Sequence, residues 1–189
     1  MTKIAIIVGS TRPGRKAEPV AQWVHDIAAK RDDATFEVVD LADFDLPLLD
    51  EPMPPMWGQY THPHTQAWSA KIAEFDGFVF VTPEYNHSTS GALKNAIDFL
   101  YREWTNKAAG FVSYGAHGGT RAVEHLRLIM GELQVADVRS QVALSMREDF
   151  ENYSAFNPAA HHEDRVTQML DEVVAWSSAL APLRTAVAA

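Results

Sequence analysis

The stretch GSTRPGR, residues 9–15, gathers two hydroxyls (Ser10, Thr11) and two guanidiniums (Arg12, Arg15) behind a short apolar run. Hydroxyl, guanidinium and backbone N–H groups are the donors that hold a phosphate. A helix beginning at the end of such a loop adds unpaired N–H groups and partial positive charge. The alternative is a surface turn with solvated charges, but a place between strand and helix favours an anion site. The loop matches neither GxxxxGK[ST] nor GxGxxG. It therefore suits a single terminal phosphate better than a dinucleotide.

Two further loops carry chemistry. PEYNHS, residues 83–88, sets turn formers around one aromatic. Pro83 and Asn86 favour turns that expose backbone amides, and Tyr85 offers a flat face and a hydroxyl. A planar ring with heteroatoms along its edge fits such a loop, with Glu84, His87 and Ser88 around it. Glu84 and His87 also read as an acid/base pair or as part of a metal site. A metal site needs more ligands at matching spacing, so none is assigned. The third loop, SYGAHGG, contains Ser113, Tyr114, Gly115, Gly118 and Gly119. Its glycines allow close approach of a ligand to the backbone; capping of the next helix explains two of them equally well. The adjacent His161 and His162 do not share a helical face and read as solvated or capping residues. Trp23, Trp68, Trp104 and Trp176 fall at helical positions and read as core or interface.

The elements that must position these loops follow from periodicity. Apolar runs predict strands over Lys3–Val8, Phe36–Val39, Gly77–Val81, Ala108–Ser113 and Val138–Leu144. Between them, helical spacing places Val20, Trp23, Val24, Ile27 and Ala28 on one face, with Pro19 in the first turn. The same spacing sets Ala92, Leu93, Ala96, Ile97 and Leu100 inward in Gly91–Leu100, with Thr89 or Ser90 as the cap. It recurs at Ala122, Val123, Leu126, Met130 and Leu133, and finally over Glu163–Leu180, with Val166, Met169, Leu170, Val173 and Val174 inward. Strands alternating with amphipathic helices imply βαβ units, and strands apolar throughout imply helices on both sheet faces. The expectation is an α/β fold with three layers, residues 1–189 forming a single domain. In such sheets ligands bind beyond the carboxyl ends of the strands, where the three loops meet. Residues 42–63 break the rhythm. They hold five of the ten prolines, which excludes a regular helix. Leu48, Leu49, Met53, Met56 and Trp57 there either pack on their own domain, meet a second subunit or roof a ligand.

Composition narrows the class. A chain of 189 residues, 47% hydrophobic and 22% charged, is of ordinary globular make-up. A net charge of -9 disfavours nucleic acid and anionic membrane as partners. The absence of cysteine excludes disulfides and thiol chemistry. The N-terminal apolar run is short and leads into a turn, unlike a signal peptide; the expected location is cytoplasmic.

GSTRPGR, TPEYNHSTSGALKNAIDFL and SYGAHGGTRA, in this order and spacing, closely resemble the NADPH-dependent FMN reductase family. The resemblance implies a flavodoxin-like αβα sandwich whose five-stranded parallel sheet runs 2-1-3-4-5. It further implies FMN as cofactor, NADPH or NADH as hydride donor, a small-molecule electron acceptor such as FMN or a quinone, and a homodimer or homotetramer. By position, Ser10, Thr11, Arg12 and Arg15 would grip the FMN phosphate. Pro83 to Ser88 would line the isoalloxazine, and Ser113, Tyr114, Gly115, Gly118 and Gly119 would close its pyrimidine side. Where many members carry a further serine, this chain has Arg15, Lys16 and Ala17. No side chain is assigned as catalytic, because the cofactor carries the chemistry. A flavodoxin-type electron carrier and a non-catalytic flavin-binding protein are the alternatives.

Overall fold

The computed structural model describes residues 1–187. Its elements run β1 (Thr2–Val8), α1 (Ala17–Ala28), β2 (Ala34–Asp40), α2 (Pro63–Ala73), β3 (Gly77–Pro83), α3 (Gly91–Asp98), β4 (Ala108–Gly115), α4 (Thr120–Glu132), β5 (Ala136–Ser145), the hairpin β6 (Phe150–Glu151) and β7 (Ala155–Phe156), α5 (His161–Ala179) and α6 (Ala181–Val187). Strands β1 to β5 form one parallel sheet in the order 2-1-3-4-5. Each strand has the neighbours that the family resemblance implies.

Alternation along the strands explains the layers. Ile4, Ile6 and Val8 of β1 face α1 and α5, together with Val79, Val81 and Val112. Ala5 and Ile7 face the opposite layer with Phe78, Phe80 and Phe111, under α2, α3 and α4. All five predicted inward positions of α5 are buried, and α3 is capped by the Ser90 hydroxyl, which accepts from Leu93 N–H. From residue 42 up to Pro63, where α2 begins, the chain forms no regular helix, only 3-10 turns at Leu41–Phe44 and Pro55–Trp57. Leu48, Leu49, Met56 and Trp57 stand exposed, Leu48 by 85%.

Two expectations need correction, and one helix went unpredicted. Trp104 is core, but it lies in the turn before β4 and not on a helix, with its indole N–H on the Ile97 carbonyl (3.1 Å). The helix α2, with only Thr65, Trp68 and Ile72 buried, carries too thin an apolar stripe to stand out. His162 is neither solvated nor a cap. It is buried at the start of α5, where its Nε2 lies 3.1 Å from the Asp149 carboxylate.

That pairing has a pH signature. Burial pushes His162 below its ordinary 6.5, outweighing the pull of Asp149. As pH falls through 6.5 the unfolded chain takes the proton first, so stability falls with it. Melting temperature is expected to drop between pH 8 and pH 5, and less steeply in His162→Gln. Equal slopes in the two proteins would refute the assignment.

Lys107 titrates at the other end. Burial first, and Arg184 second, lower it from 10.5 to about 8. Below pH 8 it is charged in both states and the full burial cost applies. Between 8 and 10.5 the folded chain loses the proton first and stability rises. A shift of this size corresponds to about 3 kcal/mol. Its ammonium donates to the Ile72 carbonyl (3.0 Å), which offsets part of the cost. Lys107→Met is expected to stabilise by about 2 kcal/mol at pH 7 and by much less at pH 10, read from denaturant midpoints. A destabilised variant at pH 7 would contradict this.

Candidate functional site

The three loops leave the carboxyl ends of β1, β3 and β4, adjacent strands at the sheet centre. Gly9 N–H donates to the Val81 carbonyl (2.8 Å), which holds the first loop against β3. Ser10 turns inward, and its hydroxyl lies 3.2 Å from that of Tyr85, which joins the first loop to the second. Arg15 crosses beneath the loop. It donates to the Ser10 carbonyl (3.1 Å) and to the Asp40 carboxylate at the end of β2. Its guanidinium therefore shapes the loop, while Thr11 and Arg12 face solvent. At Lys16, where α1 begins, no side chain caps the helix. The helix start carries partial positive charge there, with the Lys16 and Ala17 N–H groups toward the Tyr114 hydroxyl.

The second loop closes on itself. Ser88 N–H donates to the Tyr85 carbonyl (3.1 Å) and Tyr85 N–H to the Ser88 carbonyl (2.9 Å). Both central residues, Asn86 (φ 49°) and His87 (φ 71°), are left-handed. This is the mirror-image turn of two-residue hairpins, where Asn is common and Gly the usual second residue. Glu84 is nearly buried and accepts from the Arg121 side chain and its backbone N–H (3.2 Å). Its carboxylate is committed to α4 rather than to His87, so the acid/base pairing is not formed. Ser88 turns its hydroxyl to His125 Nδ1 (2.9 Å).

In the third loop the roles divide. Ser113 is fully buried and donates its hydroxyl to the Gly118 carbonyl (2.7 Å). A Cβ on Gly118 would meet Ala143 at 2.9 Å, and one on Gly119 would meet Ser113 and Tyr114 at 2.8 Å. These two glycines thus permit close packing of protein on protein, one layer behind the surface a ligand would touch. Gly115 and Tyr114 reach that surface. The Tyr114 hydroxyl is buried without a full hydrogen-bond partner. Burial, then Tyr85, push its pKa up, while the Lys16 and Ala17 N–H groups at the start of α1 act the other way.

These pieces enclose a cavity of about 480 Å³ lined by Arg12 to Lys16, Pro83 to Tyr85, Tyr114 to Ala116, Met146 and Tyr153. Met146 and Tyr153 went unremarked in the sequence. Asn86, His87 and Ser88 form the exterior of their turn and do not line it. Among the described residues, no group of three or more His, Asp or Glu is placed to hold a metal ion.

A parallel 2-1-3-4-5 sheet with a basic loop, an uncapped helix start and an aromatic-lined cavity at its carboxyl edge defines a flavodoxin-like ligand-binding protein. The family model for NADPH-dependent FMN reductases matches residues 2–149. The chain belongs to that family. It is 41% identical over 174 residues to the NAD(P)H-dependent FMN reductase ntnL of a Nectria species, covering 87% of this chain and 85% of that one. It is 38% identical over 136 residues to the quinone reductase of Escherichia coli K12, covering 68% and 69%. Among solved structures, the flavoenzyme NAD(P)H:(acceptor) oxidoreductase FerB of Paracoccus denitrificans shares the fold at a TM-score of 0.74. It is 20% identical, with 94% of this chain and 98% of that one covered.

Proposed function

We propose that this chain is an NAD(P)H-dependent flavin oxidoreductase that holds FMN in the cavity and serves small acceptors of the quinone class. The observation that carries this reading is the cavity beyond β1, β3 and β4, where Arg12, Lys16 and the uncapped start of α1 stand beside the rings of Tyr85 and Tyr114. A phosphate is attracted to that positively charged edge, and the cavity accommodates a planar ring beside it. FMN held there would supply the two-electron hydride chemistry between a nicotinamide and an acceptor.

The chain's own residues bind and orient. Arg12 and the start of α1 hold the phosphate, Thr11 stands on the same loop outside the cavity lining, and Arg15 keeps the loop in shape through Asp40. Pro83, Glu84, Tyr85, Tyr114 and Gly115 line the ring. Asn86, His87 and Ser88 form the rim, and Ser113, Gly118 and Gly119 set the curvature behind Gly115. Quinones as acceptors rest on the likeness to the bacterial quinone reductase. A homodimer or homotetramer rests on exposed Leu48, Leu49, Met56 and Trp57. A cytoplasmic location fits an enzyme that draws on an intracellular nicotinamide. Among the described residues no helix is long and apolar enough to cross a membrane.

The test is steady-state NADPH and NADH oxidation by the FMN-loaded protein with menadione or ferricyanide. Turnover supports the enzyme; bound flavin without turnover would instead make it a carrier.

A further inference from the structure

The hairpin β6–β7 lies just beyond the residues matched by the family model, yet its tip reaches the cavity. Its base is fixed. Phe150 is buried, with its ring 5.9 Å from Tyr114 and 5.1 Å from Phe156, and Phe156 packs edge-on against Trp23. Asp149, immediately before it, accepts from Ser145 N–H (2.7 Å), Ala159 N–H (3.1 Å) and His162. The tip is tied to the first loop, because Lys16 Nζ donates to the Ser154 hydroxyl (3.1 Å).

The turn Glu151–Ser154 is closed by Ser154 N–H on the Glu151 carbonyl (2.9 Å). Its central residues, Asn152 (φ 50°) and Tyr153 (φ 57°), are both left-handed. Asn-Gly is the pair this turn prefers. A bulky aromatic in the second position is strained. Its ring gains no core packing in return, since Tyr153 is 66% exposed. An aromatic that costs the turn, makes no core and lines the cavity has its partner in the cavity.

Resting on the flavin reading, we infer that Tyr153 is a flavin-retaining residue whose ring packs on bound FMN. Its contact sets whether the cofactor stays with the protein or exchanges with free flavin. Aromatic contact of this kind is directional and sequence-local, so its removal leaves the remaining walls intact.

Tyr153→Gly tests this without endangering the fold, because it creates the preferred Asn-Gly turn. Kd for FMN is measured by quenching of flavin fluorescence, beside the melting temperature of the flavin-free protein. Tyr153→Gly is expected to weaken FMN about 10-fold, with an unchanged or raised melting temperature. Tyr153→Phe is expected to stay within about 3-fold of the parent. Parental affinity in Tyr153→Gly, or an equal loss in Tyr153→Phe, overturns the inference. If the parent protein itself takes up no FMN, the flavin reading fails, and this inference with it.

Discussion

Gly119→Ala is expected to lower stability by about 3 kcal/mol and the melting temperature by roughly 10 °C, and to remove flavin binding. Gly119 sits at φ 70°, at the start of α4. A side chain there costs about 1–2 kcal/mol for the left-handed backbone alone. The added Cβ would also meet Ser113 Cβ and Tyr114 N, each at 2.8 Å. Neither neighbour is the free end of a flexible chain. Ser113 is held by Gly118, and Tyr114 pairs in register with Pro83. Relief must come from moving β4, which displaces the Tyr114 hydroxyl and Gly115 from the cavity wall. Gly131→Ala is the internal control. It lies within α4 with nothing inside 4 Å of its Cβ position, so it should gain about 0.5–1 kcal/mol. Denaturant unfolding of both variants checks the pair. A Gly119→Ala protein as stable as the parent would show that the third loop is not fixed by this packing.

The second large effect is expected at Arg12, and it is specific to the phosphate. Arg12 faces solvent at the cavity's first loop, whereas Arg15 is held by Asp40 and the Ser10 carbonyl. Loss of one charge-assisted hydrogen bond costs about 1.5–3 kcal/mol, and the exposure of Arg12 puts its share at the lower end. Arg12→Ala should therefore weaken FMN about tenfold, the difference shrinking as salt rises. Riboflavin, which has no phosphate, should bind both proteins alike. Arg15→Ala should behave differently. It frees Asp40 and loosens the loop, so FMN and riboflavin both weaken and the melting temperature falls. Isothermal titration of the two ligands against the two variants separates these roles. Equal loss of riboflavin in Arg12→Ala would contradict a phosphate contact.

The sheet and its main helices were legible because each carries a strong, unbroken period. β1, β3 and β4 are buried along almost their whole length. The inward stripes of α4 and α5 are complete. What escaped depended on contacts between distant segments. His162 reads as a polar residue at a helix start until Asp149, supplied by the turn after β5, is brought against it. Arg15 reads as a free phosphate ligand until β2 delivers Asp40. Glu84 reads as half of an acid/base pair until α4 brings Arg121. The hairpin β6–β7 escaped for a local reason: its strands are two residues each, and its turn lacks the glycine that announces such turns. Asn152 followed by an aromatic was the one available signal for Tyr153. Gly118 and Gly119 read as room for a ligand until Ala143, Ser113 and Tyr114 are brought against them.

Passage of electrons from a nicotinamide to an acceptor by way of bound FMN is open to direct observation. It is tested most directly by mixing the purified, FMN-loaded protein with one equivalent of NADPH without oxygen and following the flavin's visible absorbance. Rapid bleaching is expected, then full recovery when a quinone is added. A flavin spectrum left unchanged by both NADPH and NADH would contradict it.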